Sequence, residues 1–124
     1  MAKEAKSILF VEDEKAISRV MKLKLEQNNL EVTLAKTGQE AMDYFDENTY
    51  DLVLLDLILP EKDGFSVLSH IREQNTEIDV VVLTNLGQPE DRKRLQDIGI
   101  SGYYVKSEVP IYELVNKIKT ILKI

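Results

Sequence analysis

The chain predicts an α/β fold: a doubly wound, five-stranded parallel sheet with five helices on its two faces. Short, wholly apolar runs at residues 8–11, 52–55 and 80–83 read as strands buried on both sides, the mark of a parallel sheet covered by helices. Between these runs the apolar spacing lengthens to the three-and-four rhythm of a helix. The two kinds of segment alternate along the chain with short connections, as βα units do.

Each element has its own signal. Ile8, Leu9, Phe10 and Val11 form the first strand. Ile17, Val20, Met21 and Leu25 then place one apolar face on a helix. Residues 32–35 are a weaker, mixed run and predict an edge strand. Thr37, with Glu40 three residues on, opens a second helix marked by Ala41, Tyr44 and Phe45. After the run at 52–55, Phe65, Leu68 and Ile71 mark a third helix, followed by the run at 80–83. Residues 89–98 predict a helix with only Leu95 and Ile98 as strong anchors, closed by Gly99. A helix so lightly tied moves at modest cost. Its Arg92, Lys93 and Arg94 read as a solvated face or a partner surface. Residues 103–105 form the second edge strand, with Tyr103 and Tyr104 on opposite sides. Pro110 precedes the last helix, whose Ile111, Leu114, Val115, Ile118, Ile121 and Leu122 share a face. Burial contributes about 1.5–3 kcal/mol for each such side chain before entropy is counted, so this helix belongs to the fold.

The 124 residues predict a single domain over 1–124. The chain has no cysteine, which excludes thiol catalysis, disulfides and Cys-based zinc sites. A net charge of −6 argues against binding a nucleic-acid backbone. Neither a spanning apolar stretch nor a cationic amphipathic one is present, so no membrane association is expected. A polar approach at residues 1–6 takes the place of a secretion leader, and a cytoplasmic location is expected. The phosphate cradles G-x-x-x-x-G-K-[ST] and G-x-G-x-x-G are absent as well.

Ligands of an open parallel sheet bind beyond the carboxyl ends of its strands. There the first run ends in Glu12 and Asp13, the third in Asp56, the fourth in Thr84 and the fifth in Lys106. Taken singly, an Asp or Thr after a strand is a turn or cap residue. In the strand order 2-1-3-4-5, however, these ends meet at one crevice. Two like charges about 4 Å apart repel by roughly 4 kcal/mol at an effective dielectric near 20. The three carboxylates therefore call for positive charge, from Lys106 and from a hard divalent cation such as Mg²⁺. Carboxylate, Mg²⁺, ammonium and hydroxyl are the parts that spread charge on a phosphoryl group in transfer, and an Asp can itself accept it.

The segments Val11-Glu12-Asp13-Glu14, Asp56-Leu57-Ile58-Leu59-Pro60-Glu61-Lys62-Asp63-Gly64, Leu83-Thr84 and Gly102-Tyr103-Tyr104-Val105-Lys106, in this order and spacing, closely resemble the receiver domain of two-component response regulators. That is the flavodoxin-like fold of the single-domain chemotaxis regulator, and the likeness covers nearly the whole chain. The resemblance implies that Asp56 accepts a phosphoryl group from a histidine kinase, a phosphotransfer protein or a small phosphodonor. It implies that Asp13, Asp56 and the Ile58 carbonyl bind Mg²⁺ directly, with Glu12 helping through a water. Lys106 and Thr84 would hold phosphoryl oxygens. Tyr103 would follow Thr84 and carry the change to the face of the fourth helix, fifth strand and fifth helix, which a downstream output protein or domain reads. Such a protein catalyses its own phosphorylation and dephosphorylation without turning over an external substrate.

Three positions depart from the family pattern. Ser107 stands where proline is most common, and Asn85 where a small residue is usual. Ile58 replaces a polar residue, which predicts slow loss of the phosphoryl group. The alternative is a degenerate receiver that binds proteins without phosphorylation. A hydrolase of the haloacid-dehalogenase type would need D-x-D, and Asp56-Leu57-Ile58 lacks its second Asp. The lone histidine, His70, is expected to be a solvated helix residue and no phosphodonor.

Overall fold

The computed structural model of the chain describes residues 5–85 and 88–124; residues 1–4 of the polar approach lie outside the described residues. Among the described residues, ten elements alternate, strand then helix. They are β1 (Lys6–Val11), α1 (Lys15–Gln27), β2 (Leu30–Ala35), α2 (Gly38–Glu47), β3 (Leu52–Leu55), α3 (Gly64–Gln74), β4 (Asp79–Thr84), α4 (Pro89–Ile98), β5 (Gly102–Val105) and α5 (Ile111–Leu122). Every strand pairing is parallel, and the order is β2-β1-β3-β4-β5, as expected from the sequence.

Both faces of the sheet are covered because the three central strands are apolar at every other residue on each side. Leu9, Val11, Val53, Leu55, Val80 and Val82 pack with Ala41 of α2, Leu68 and Ile71 of α3 and Leu95 of α4. Ile8, Phe10, Leu52, Leu54, Val81 and Leu83 pack with Met21 and Leu25 of α1 and Leu114 and Ile118 of α5. The two edge strands are more open, and Tyr103 and Tyr104 join opposite layers.

Local chemistry sets the helix ends. Thr37 caps α2 by accepting the Glu40 amide at 3.0 Å, while the Glu40 carboxylate reaches back to the Lys36 amide at 3.2 Å. Gly99 ends α4 at φ 111°, a conformation that favours glycine.

Two expectations change, and one gains detail. Val20 is 45 % exposed and lies outside the core. The buried stripe of α1 runs through Met21 and Leu25 and includes Ser18 on the flank away from Val20. Ser18 tolerates burial because its hydroxyl donates to the Lys15 carbonyl at 3.1 Å. His70 is paired, not merely solvated: its Nε2 lies 2.7 Å from Asp46 Oδ1, tying α3 to α2, and Gln74 joins the same carboxylate at 2.8 Å. Arg92 and Arg94 are exposed but stack on aromatic rings, Arg92 at 5.1 Å from the Tyr103 centroid and Arg94 at 4.0 Å from that of Phe65.

Candidate functional site

The strand ends deliver the acidic residues in register. Past the last paired residues, the Glu12 amide donates to the Ala35 carbonyl at 2.9 Å and the Asp56 amide to the Val11 carbonyl at 3.1 Å. Each bond extends the ladder by a rung and fixes the Cα of an acidic residue. On the other flank, the Lys106 amide donates to the Thr84 carbonyl at 3.0 Å. The start of α3 closes on the segment carrying Asp56, where the Gly64 amide donates to the Leu57 carbonyl at 2.9 Å. A methyl group on Gly64 would sit 2.5 Å from the Asp56 carbonyl oxygen, so only glycine permits this approach.

Glu12 and Asp56 are buried, Asp13 is exposed, and one carboxylate oxygen from each falls within 4.8 Å of the others. Lys106 reaches across to them. Its Nζ donates to Asp56 Oδ2 at 2.8 Å and lies 2.7 Å from Glu12 Oε1 and 3.6 Å from Glu14 Oε2. Asp56 Oδ1 accepts the Ile58 amide at 3.2 Å, which orients the carboxylate. Glu12 Oε2 accepts the Glu14 amide at 3.2 Å. Asp13, Glu14, Asp56, Ile58, Asn85 and Lys106 line a cavity of about 210 Å³ over this cluster. Neither Thr84 nor Tyr103 is among its lining residues. Thr84 is wholly buried at the end of β4, and Tyr103 stands on β5 beside Val82 under Arg92.

The electrostatics follow from burial and crowding. Burial pushes the Glu12 carboxyl above its ordinary value. The Lys106 ammonium and the Glu14 amide pull it down, the Asp56 charge pushes it up, and the net shift is upward. For Lys106, burial alone would lower the value, but Asp56 and Glu12 together outweigh it and raise it.

The cluster fits Mg²⁺ on its own chemistry. The three converging donors are hard oxygens with no nitrogen or sulfur among them. Glu12 Oε1 is wholly buried, with the Lys106 ammonium 2.7 Å away, and makes no hydrogen bond among the described residues. A buried carboxylate oxygen without a hydrogen bond is costly, and positive charge beside it offsets that cost.

The sequence places Glu12, Asp13, Asp56, Thr84 and Lys106 at one crevice. The three acids and Lys106 converge there, Thr84 is buried and does not line the cavity, and Glu14 was not singled out. The signal for Glu14 was its place in the run Glu12-Asp13-Glu14, where an N-terminal helix position puts it beside the cluster.

Residues 8–119 match the response regulator receiver domain family. The chain belongs to that family. It is 38 % identical over 116 residues to the transcriptional regulatory protein SrrA of Staphylococcus aureus, a match covering 94 % of this chain and 47 % of SrrA. This receiver thus spans about half the length of the curated relatives it matches. Its fold is similar to that of a CheY-like receiver domain protein of Methanospirillum hungatei, with a TM-score of 0.91 at 28 % identity over 96 % of this chain and 94 % of that one. It is also similar to the response regulator TrrA of Thermotoga maritima, solved in complex with Mg²⁺ and a beryllium fluoride, with a TM-score of 0.81 at 33 % identity over 94 % of this receiver and 98 % of TrrA.

Proposed function

We propose that this receiver is a phosphorylation-dependent switch in which Asp56 accepts the phosphoryl group. The observation that carries this reading is the buried Asp56 carboxylate held between the Lys106 ammonium at 2.8 Å and the Ile58 amide at 3.2 Å, at the edge of an open cavity. An oxygen of Asp56 attacks phosphorus. The bond from phosphorus to the donor's histidine nitrogen breaks, and its electron pair leaves with the imidazole. Lys106, already aimed at Oδ2, stabilises the charge on the transferred group. Asp13, Asp56 and the Ile58 carbonyl would hold Mg²⁺, with Glu12 beside them. When bound, the ion supplies charge neutralisation between the Asp56 carboxylate and the phosphoryl oxygens.

Thr84 and Tyr103 are proposed to relay the change. Phosphorylation favours the conformation in which the Thr84 hydroxyl and Lys106 close on the phosphoryl group, and Tyr103 moves with Thr84. The face of α4, β5 and α5 then differs for a downstream output protein or domain. The donor is a histidine kinase or a phosphotransfer protein, and no external substrate is turned over. We place the protein in the cytoplasm on the family's two-component role. Among the described residues, no helix is long and apolar enough to cross a membrane.

Incubation with Mg²⁺ and phosphoramidate, followed by intact mass, tests the proposal. A gain of one phosphoryl group that is labile to alkali and lost in Asp56→Asn is expected. If Asp56→Asn gains the group as readily, Asp56 is not the acceptor. If the unaltered protein gains nothing, even with a cognate kinase, the degenerate reading replaces the switch.

A further inference from the structure

We propose that Asn85 and Ser107 form a clip that positions Lys106 for phosphoryl capture, which makes Asn85 a positioning residue of the site. The inference rests on Asp56 being the phosphoacceptor.

The Ser107 amide donates to Asn85 Oδ1 at 3.0 Å. The amide before it, that of Lys106, donates to the Thr84 carbonyl at 3.0 Å. Two successive amides at the end of β5 are therefore bound to two successive residues leaving β4. The first acceptor is a main-chain carbonyl, and the second is a side-chain carboxamide standing in for one. The β4–β5 register ends at Thr84 opposite Val105, so this last rung is one the strands do not supply. Lys106 lies between the two tied amides, and from there its ammonium reaches Asp56 at 2.8 Å and Glu12 at 2.7 Å. Fixing the backbone on both sides of the Lys106 side chain lowers the entropy lost in holding a long flexible chain across the site.

The pairing needs a side-chain acceptor at 85 and any residue but proline at 107. Alanine at 85 offers no acceptor, and proline at 107 has no N–H. The bond uses the main-chain amide of Ser107, so its hydroxyl is dispensable. Asn85 also lines the cavity beside Asp56 and Lys106, so the clip forms part of the cavity rim.

Two measurements test this separately. In the unphosphorylated protein, hydrogen exchange at the Ser107 amide should be slowed, should lose that protection in Asn85→Ala and keep it in Asn85→Asp, which retains an acceptor. Phosphorylation by phosphoramidate with Mg²⁺ should slow about threefold to tenfold in Asn85→Ala and in Ser107→Pro, the scale of one partly solvated hydrogen bond. Ser107→Ala should match the unaltered protein, and the double variant Asn85→Ala with Ser107→Pro should be no slower than the slower single one. Unchanged exchange in Asn85→Ala, a loss in Ser107→Ala equal to that in Ser107→Pro, or losses that multiply in the double variant would each overturn the clip. If the unaltered protein takes up no phosphoryl group, the phosphoacceptor reading fails instead, while Ser107 protection still reports on the bond.

Discussion

Lys106 is the residue on which the site's charge balance turns. Its ammonium faces the carboxylates of Glu12, Glu14 and Asp56, two of which are buried. Removing one partner from a buried ion pair costs about 3–5 kcal/mol, because the other charge is left uncompensated. Lys106→Met is therefore expected to lose roughly 3 kcal/mol at neutral pH without divalent metal, measured by urea unfolding. The sign of the pH dependence follows from the shifts. Lys106 is raised in the folded state, so the stability it adds is full below its ordinary value of 10.5 and is lost as pH climbs through the higher folded value. Glu12 is raised above 4.5, so its ionisation destabilises the fold, and that cost grows as pH rises through the folded value. In Lys106→Met the loss of stability should accordingly shrink toward pH 4, where Glu12, raised above 4.5, takes up a proton and no longer needs the ammonium beside it. A loss that is constant from pH 7 to pH 4 contradicts an electrostatic origin. At Ile58 the side chain is 58 % exposed and lines the cavity. An apolar group there offers no hydrogen bond to an attacking water. Ile58→Asn should speed decay of the phosphorylated protein severalfold, read by the fall in phosphorylated mass with time, and equal decay would sink the idea.

Among the elements, α4 is held least evenly. Leu95 is its one fully buried side chain, and no side chain caps its first turn. Its far end is pinned, since Arg72 Nε donates to the Gly99 carbonyl at 3.0 Å and Nη1 to the Ile78 carbonyl at 2.8 Å. By contrast, α5 buries Leu114, Val115, Ile118 and Leu122. Local stability scales with buried apolar contacts, so α4 amides should exchange faster than those of α5, fastest toward Pro89. Arg72→Ala should spread the fast exchange to the Gly99 end while leaving α5 unchanged. Uniform exchange across both helices would contradict the pinned-end account. The light anchoring was legible in the sequence, because it shows as missing apolar residues between Pro89 and Ile98. The pin was not, because Arg72 and Gly99 are 27 residues apart and a guanidinium on a helix has no sequence mark for the carbonyl it finds.

At the scale of the molecule, one sheet with two apolar layers brings the acidic residues to a common end, and metal binding should report on the whole fold. A ligand at about 100 times its Kd stabilises the folded state by roughly 2.7 kcal/mol. Saturating Mg²⁺ should therefore raise the thermal midpoint, EDTA should restore the lower value, and Asp13→Ala should lose most of the increment. A midpoint that ignores Mg²⁺ argues against the cation site. We further propose that residues 1–124 unfold as a single domain.

The sequence by itself determined the element order, the parallel sheet and the residues at its carboxyl end, because alternation and apolar period are written in neighbouring positions. It misjudged Val20, since a helix stripe can tilt by a residue and only the packed sheet decides which flank is covered. It read His70 as solvated because Asp46 lies on another helix. Tertiary structure alone decided that Lys106 sits between Glu12 and Asp56, and that Asn85 meets Ser107. Those contacts join residues distant in the chain, and their distances depend on how the strand ends align once the core has closed.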